Sequence, residues 1–216
     1  YADDGSVTPM PGSNLPLATL GTFLLWFGWF GFNGGSQLAM GTAADVAAIS
    51  NIYINTNLAA AGGVVVAIVL TMLFYKKTDL TMALNGALGG LVAITAEPLA
   101  PTPMLAIFIG AVGGLIVVVT IPMLDKLKID DVVGAIPVHL FAGIWGTIAV
   151  IFSNSDATIG AQIYGILAIG AFTIIASTIV WYLIKLVMGI RVTPEEEMEG
   201  SDISEIGMEA YPDFRK

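Results

Sequence analysis

Residues 103–124 read PMLAIFIGAVGGLIVVVTIPML and contain no charged side chain. A helix needs about 20 predominantly apolar residues to cross about 30 Å of hydrocarbon, and this stretch provides them. Taken alone, one apolar run of this length is also compatible with a helix buried in a soluble protein. The composition and the remaining apolar runs therefore have to distinguish the two.

Proline and charged residues divide the chain into six apolar segments, and six such segments in series are not compatible with a soluble protein. Hydrophobic residues make up 56% of the 216 residues and charged residues only 12%, whereas soluble domains carry about 25% charge. We therefore predict an all-α, polytopic transmembrane helix bundle of about six spans. The predicted spans are residues 16–40, 52–75, 80–98, 103–124, 132–153 and 158–190.

Basic residues lie on one side of these spans. The loops at 41–51, 97–103 and 154–157 contain no Lys or Arg. The positive-inside rule places the opposite loops in the cytoplasm, so both ends of the chain are predicted to be cytoplasmic. The basic residues are Lys76, Lys77, Lys126, Lys128, Lys185, Arg191, Arg215 and Lys216.

This topology divides the chain into three parts. Residues 1–15 are predicted to be a cytoplasmic N-terminal segment, and residues 16–191 the transmembrane bundle. Residues 192–216 are predicted to form a cytoplasmic tail, which holds eight of the seventeen acidic residues. Because the chain begins with Tyr1 and not with Met, we expect residues 1–15 to be an internal loop of a longer chain.

The composition argues against several classes of function. A net charge of −9 does not favour nucleic-acid binding. With no cysteine, the chain has no disulfide, no thiolate catalysis and no cysteine metal site. There is no phosphate-binding glycine loop, nucleophile elbow or catalytic carboxylate pair, so we predict neither an enzyme nor a cofactor.

One ionisable group lies well inside a predicted span. His139, the only histidine, is about seven residues into the fifth span, roughly 10 Å from its cytoplasmic end. A metal site is not expected there, because no carboxylate lies at helical spacing around it. We favour a pore-lining or proton-handling role over a structural hydrogen bond.

Polar and aromatic groups at the outer ends of spans are further candidates. Phe32 and Ser36 share one helix face, where an aromatic ring and a hydroxyl can receive a cation. The alternative is an interfacial aromatic anchor with the serine bonded to its own helix. Trp29 is a candidate for the pore wall, and so is Thr95, although Thr95 can instead bond its own backbone.

Three other features have more ordinary interpretations. Asp130 and Asp131 are predicted to cap the fifth span. Glu97 is predicted to lie among lipid headgroups, with a cation site in a vestibule as the alternative. Glycines spaced four apart predict close helix packing in three spans. These pairs are Gly31/Gly35, Gly86/Gly90 and Gly110/Gly114.

Residues 28–36 read GWFGFNGGS, and residues 130–146 read DDVVGAIPVHLFAGIWG. These two stretches closely resemble the ammonium transporter (Amt/Mep/Rh) family, in its Amt branch. Residues 189–200, GIRVTPEEEMEG, are similar to the cytoplasmic C-terminal segment of the family. Members have about eleven spans in two inverted halves, and this chain resembles the second half with the long last helix.

The resemblance implies roles for three residues. Phe32 is one of two gate phenylalanines, Ser36 belongs to the outer ammonium recruitment site, and His139 is one of two pore histidines. The first-half partners have no counterpart here: the other Phe, the other His, an outer Trp and a supporting Asp. The resemblance also implies a homotrimer in the plasma or inner membrane, with a possible PII-type signalling protein at its inner face.

The expected function is an ammonium channel or transporter. Ammonium is recruited at the outer mouth and deprotonated, and ammonia is conducted through a hydrophobic pore past the histidine. Two alternatives stay open: an ammonium sensor of the same fold, and a non-conducting half-transporter, because a site between two repeats cannot be built by one repeat.

Overall fold

The computed structural model of the protein describes residue 6 and residues 12–212. All regular secondary structure in this part is helical, which confirms the predicted all-α class. Most of the predicted segment 1–15, and residues 213–216 of the predicted tail, lie outside the described residues. The chain forms two compact units, residues 1–163 and 164–216, which are described separately.

The described residues form eight α-helices, one π-helical turn and one 3-10 turn. Helices α1, α2, α4 and α6 are long and apolar enough to cross a membrane, whereas α3 and the helical stretch Ile136–Phe152 are shorter. The six predicted spans are therefore found as four long helices and two short ones. The elements are α1 (Leu15–Gly35), α2 (Ala43–Tyr75), α3 (Leu80–Thr95), α4 (Pro103–Lys126), a π-helical turn (Ile136–Phe141), α5 (Ala142–Ala149), a 3-10 turn (Val150–Phe152), α6 (Ile159–Val187), α7 (Pro194–Glu199) and α8 (Ser201–Ile206).

The boundary between the first two helices differs from the prediction. Helix α1 ends at Gly35 rather than at residue 40, and α2 begins at Ala43 rather than at residue 52. The reason is a capping box: the Thr42 hydroxyl accepts the Asp45 N–H at 3.1 Å, and the Asp45 carboxylate accepts the Thr42 N–H at 3.0 Å. This reciprocal cap fixes the start of α2 where the apolar pattern is weak.

Glycines bring α2, α3 and α4 together backbone to backbone. A Cβ built on Gly62 would lie 2.6 Å from the carbonyl oxygen of Ile107 on α4, and Cβ atoms on Gly90 or Gly110 would overlap the backbone of Ala59 on α2. Only glycine permits this approach. Two predicted pairs are thereby confirmed, Gly86/Gly90 and Gly110/Gly114.

The third predicted pair is wrong for this chain. No atom lies within 4 Å of a Cβ built on Gly31 or Gly35. Helix α1 instead packs through Gly34, which faces the ring of Tyr53 on α2. Its exposed glycines therefore lie on a face that no described residue of this chain covers.

The predicted cap of the fifth segment is confirmed for Asp131. Its carboxylate accepts the N–H groups of Gly134, Ala135 and Ile136 at 3.1, 2.9 and 2.7 Å. Because these donors are held by a side chain, regular helix starts only at Ile136, four residues later than predicted. His139 therefore lies in the first helical turn and not seven residues into a helix.

The second unit contains most of α6, and then α7 and α8 of the acidic tail. No residue of α6 is buried. Helix α7 begins with a capping box in which the Thr193 N–H donates to the Glu196 carboxylate at 2.8 Å. This hydrogen bond, with that of the Thr193 hydroxyl, lowers the pKa of Glu196. The ion pair of Arg191 with Glu197 lowers the pKa of Glu197 in the same way.

Candidate functional site

Trp29 and Thr95 meet near the C-terminal ends of α1 and α3, which the predicted topology places on the outer side. The Trp29 indole N–H donates to the Thr95 hydroxyl at 2.7 Å, and that hydroxyl donates to the Leu91 carbonyl oxygen at 2.6 Å. The backbone bond predicted as the alternative for Thr95 is therefore confirmed, and its hydroxyl also accepts a hydrogen bond from Trp29. A place in the pore wall stays a prediction for both residues. This hydrogen bond fixes the position of α1 along α3.

Phe32 lies one turn beyond this pair on α1. Its ring is edge-on to that of Trp29, with centroids 6.2 Å apart and an interplanar angle of 61°, and its side chain is 67% exposed. The rotation of α1 is fixed on the other side by Asn33, whose buried amide donates to the Thr56 hydroxyl at 3.0 Å. The buried Asn33 thus turns Phe32 towards the exposed face.

Ser36 caps the C-terminal end of α1 and is exposed. Its hydroxyl donates to the Phe32 carbonyl oxygen at 3.3 Å, as the back-bonding alternative predicted. A hydroxyl that donates one bond still has lone pairs to accept another, so this bond does not remove its capacity to receive an N–H cation.

His139 is exposed on the π-helical turn, next to the buried Pro137 and Val138. The position of His139 along the axis of α3 follows from the glycines on either side of it. Gly134 lies beside Asn85 on α3, and Gly143 lies beside Val92 on the same helix. His139 is thus level with the middle of α3.

The candidate residues therefore fall into an outer group and one inner residue. Trp29, Phe32 and Thr95 are joined by direct contacts, and Ser36 lies seven residues beyond Trp29, or about 10 Å along the axis. His139 is roughly 10 Å further in than Thr95, by the rise of α3. Among the described residues no hydrogen bond or ring contact links it to the outer group. A π-turn at such a residue is common at functional sites.

A cavity of about 640 Å³ lies at the end of this unit that is predicted to be the inner one. It is bounded by α1, α3, α4 and residues 131–134, and it extends from Leu15 to Leu25 on α1 and from Thr81 to Leu88 on α3. Leu88 is at about the height of His139, so the cavity reaches the level of the histidine from the inner side.

Glu97 has a structural role that the sequence did not reveal. Its carboxylate accepts the Ala100 N–H at 3.2 Å and the Asn154 amide at 3.3 Å, so it ties the loop after α3 to the end of the α5 segment. The predicted headgroup position and the alternative vestibule cation site stay predictions beside this loop closure.

Two asparagines of α2 hold the same loop and were missed. Buried Asn55 donates to the carbonyl oxygens of Pro98 and Pro101 at 3.0 and 2.8 Å, and Asn51 donates to that of Leu99 at 2.9 Å. Amides within an otherwise apolar run need partners, and that rule could have identified them. They fix the loop that follows Thr95.

Comparisons with known proteins agree with the resemblance seen in the sequence. The sequence profile of the Ammonium Transporter Family matches residues 3–211. The ammonium transporter Amt2 of Archaeoglobus fulgidus is 41% identical, over 99% of this chain and 49% of that protein. A putative ammonium transporter of Synechocystis is 44% identical, over 88% of this chain and 44% of its own length.

Solved structures give the same result for the fold. A structure titled "Sensor Amt Protein" superposes with a TM-score of 0.87 and 36% identity, over 95% of this chain and 52% of that one. Mep2 of Candida albicans superposes with a TM-score of 0.74 and 27% identity, over 92% and 47%. The chain thus spans about half the length of the relatives it matches.

Proposed function

Because this chain belongs to the ammonium transporter family, we propose that it supplies one half of the wall of a transmembrane pore for ammonium and ammonia. It is a multi-pass membrane protein whose relatives are transporters and not enzymes. We propose a role without catalysis, as a conduit for a small cation and its neutral base, and the transporter names of these relatives support it. The chain spans about half of those relatives, so the rest of the pore wall has to come from other residues.

One observation carries the proposal. Phe32 and His139, the gate and pore residues implied by the resemblance, are both exposed, although they lie on two apolar elements of a membrane protein. An exposed imidazole at the middle height of a bundle is costly in lipid and is suited to a pore. A second half packed over this face would place the outer group and His139 along one path.

The path has a physical logic from the outside inwards. Ammonium is held near Ser36 by hydroxyl oxygen and aromatic faces, which satisfy its N–H groups and its charge. The bare ion would pay a large desolvation penalty in an apolar pore, so it gives up a proton and neutral ammonia passes Phe32. A neutral imidazole at His139 then accepts one hydrogen bond and donates another. The inner cavity supports release on the opposite side.

The assembly belongs to the same proposal. We propose a homotrimer in the plasma or inner membrane, with both ends of this chain in the cytoplasm, a position that also suits a PII-type protein at the inner face. In this arrangement residues 1–15 and 192–216 are cytoplasmic and residues 16–191 form the membrane bundle. A glycosylation or labelling tag at Asp156 is then external. If that tag is labelled from the cytoplasm, the proposed orientation is wrong.

A sensor is the second candidate, and it is favoured by one comparison. The structure with a TM-score of 0.87 is titled as a sensor. A sensor and a transporter can use the same outer group, since both have to recognise ammonium before anything else happens. They differ in flux, because a sensor signals binding without needing to conduct.

The test uses a chimera. The half of Archaeoglobus fulgidus Amt2 that matches this chain is replaced by this chain, and methylammonium uptake is measured in proteoliposomes. We expect uptake from the chimera and none from the isolated chain, because one half cannot enclose a pore. A folded chimera without uptake, beside an active parent, would leave the sensor or the non-conducting half. Uptake by the isolated chain would show that half a wall is sufficient.

A further inference from the structure

The loop between α1 and α2 is tied at both ends by one carboxylate. Asp45 accepts the side-chain amide of Gln37 at 3.2 Å, and it accepts the Thr42 N–H and hydroxyl at 3.0 and 2.8 Å. Gln37 directly follows Ser36, and Thr42 directly precedes α2. The position of this carboxylate relative to Ser36 is therefore fixed by hydrogen bonds.

The carboxylate is charged and has only neutral partners. The Thr42 hydroxyl and the Gln37 amide donate to the Asp45 carboxylate, and such bonds favour the charged form in which an aspartate is found at neutral pH. No ion pair of Asp45 occurs in the part of the chain that the structure describes, and residues 41–51, 97–103 and 154–157 contain no Lys or Arg. The N-terminus of α2 contributes about half a positive charge, which offsets only part of the carboxylate.

The carboxylate is close enough to act at Ser36. One Cα–Cα step, the glutamine side chain and the hydrogen bond place it within about 12 Å of the Ser36 Cα. At about 10 Å in water, one unit charge changes the local concentration of a monovalent ion about twofold. The effect is greater beside a low-dielectric surface and at low ionic strength, where the Debye length is about 30 Å.

We propose that Asp45 is an electrostatic determinant of the outer mouth, which raises the local concentration of monovalent cations at Ser36 without touching them. The inference rests on the proposed function for its biological meaning, but its physical content is a negative potential at one residue. Asp45 thus acts at a distance, whereas Ser36 and Phe32 act by contact. Gln37 is the positioning residue that holds the charge on the Ser36 side.

The potential at Ser36 can be measured directly because the chain contains no cysteine. A Ser36→Cys variant of the full 216-residue chain is reacted, in liposomes, with a cationic and with an anionic methanethiosulfonate of similar size. The ratio of the two rate constants reports the sign and size of the local potential. Asp45→Asn keeps acceptor and donor groups at the cap and removes the charge, so it is the informative second substitution.

We expect Asp45→Asn to lower the cation-to-anion rate ratio about fourfold at low ionic strength, because the two rates change about twofold in opposite directions. The difference should vanish at 1 M salt, where the Debye length is about 3 Å. Asp156→Asn is the matched control: it removes the same charge from another predicted outer loop and should change the ratio less.

An unchanged ratio at low ionic strength would overturn the inference, and so would an equal effect of Asp156→Asn. If Asp45→Asn only loosens the loop, both rate constants change in the same direction and their ratio stays constant. That result would also contradict the inference. In the chimera, Asp45→Asn should raise the half-saturating methylammonium concentration two- to threefold at low salt, with little change in maximal rate. A chimera that never transports, together with a falling rate ratio, would refute the proposed function and leave this inference standing.

Discussion

The α2–α4 core and the exposed positions on α1 and the π-helical turn, called here the open face, are built in opposite ways. In the core, glycines bring backbones into contact, and side chains such as Ile94 and Ile109 are buried. At the exposed positions, Phe32 and His139 are open to solvent, and Gly31 has open space around it. The core is complete within this chain, whereas the residues proposed to handle ammonium lie where a second surface is needed. Substitutions should therefore separate stability from transport.

The largest expected effect is on the core. Gly110→Leu would push a side chain into the Ala59 backbone and should lower the free energy of unfolding by about 3 kcal/mol or more. The measurement is unfolding in a denaturing-detergent titration of the isolated chain. Gly35→Leu, where no atom lies within 4 Å, is the control and should change the free energy by less than about 0.5 kcal/mol. Equal effects would remove the distinction between core and open face.

Asn55→Ala should have the next largest effect. It leaves the buried carbonyl oxygens of Pro98 and Pro101 without their donor, which costs about 2 to 3 kcal/mol of unfolding free energy. Asn51→Ala removes a single bond to Leu99 at a more accessible position and should cost about 1 kcal/mol. The same titration measures both. A larger loss for Asn51→Ala would mean that the loop is held mainly from its outer side.

Trp29→Phe tests the junction between the core and the open face. The change removes the hydrogen bond to Thr95 and keeps an aromatic ring, so we expect a loss of about 1 kcal/mol in unfolding free energy. Trp26→Phe on the same helix is the control. If the two substitutions have equal effects, the Trp29–Thr95 bond does not anchor α1.

The smallest expected effect is in the tail, which belongs to the second unit. Folding of α7 depresses the pKa of Glu196 and Glu197, so their stabilisation is present above the ordinary value of 4.5 and is lost as the pH falls through the lower folded values. Circular dichroism of the chain should show loss of a short helix at acid pH and no change between pH 6 and 8. Thr193→Val should weaken this helix already at neutral pH. An unaltered acid transition in that variant would contradict the capping role.

The sequence predicts where the apolar segments lie better than it predicts where the helices begin and end. Length and apolarity located all six segments, because burying a helix in lipid requires both. Their ends were missed where a side chain decides them: the Thr42–Asp45 box starts α2 early, and Asp131 delays the helix that carries His139. At such points a capping hydrogen bond determines the helix end, and a hydropathy pattern carries no information about such bonds.

The candidate site was predictable only in part. Placing an ionisable side chain inside the membrane is energetically costly, so His139 could be selected as a functional candidate without comparison to a related sequence. The roles of Phe32 and Ser36 came from the resemblance, because an aromatic residue and a serine near a helix end are usually an anchor and a back-bonded hydroxyl. The Trp29–Thr95 bond joins residues 66 positions apart, and only the packing of α1 on α3 brings them together.

The central claim is that the exposed face is a pore wall, and His139 tests it most directly. In the chimera, His139→Ala removes the imidazole that lies level with the middle of α3, and a lost hydrogen bond to ammonia corresponds to about a tenfold lower rate. Leu140→Ala, at the exposed neighbouring position, is the control. His139→Glu should retain conduction with altered cation selectivity.

The measurement is ammonium and methylammonium flux, with current, in proteoliposomes that contain equal amounts of folded protein. We predict about a tenfold loss for His139→Ala and wild-type flux for Leu140→Ala. Wild-type flux and selectivity in a folded His139→Ala chimera would contradict the account, because the histidine would then be structural and the open face would not be the wall of the pore.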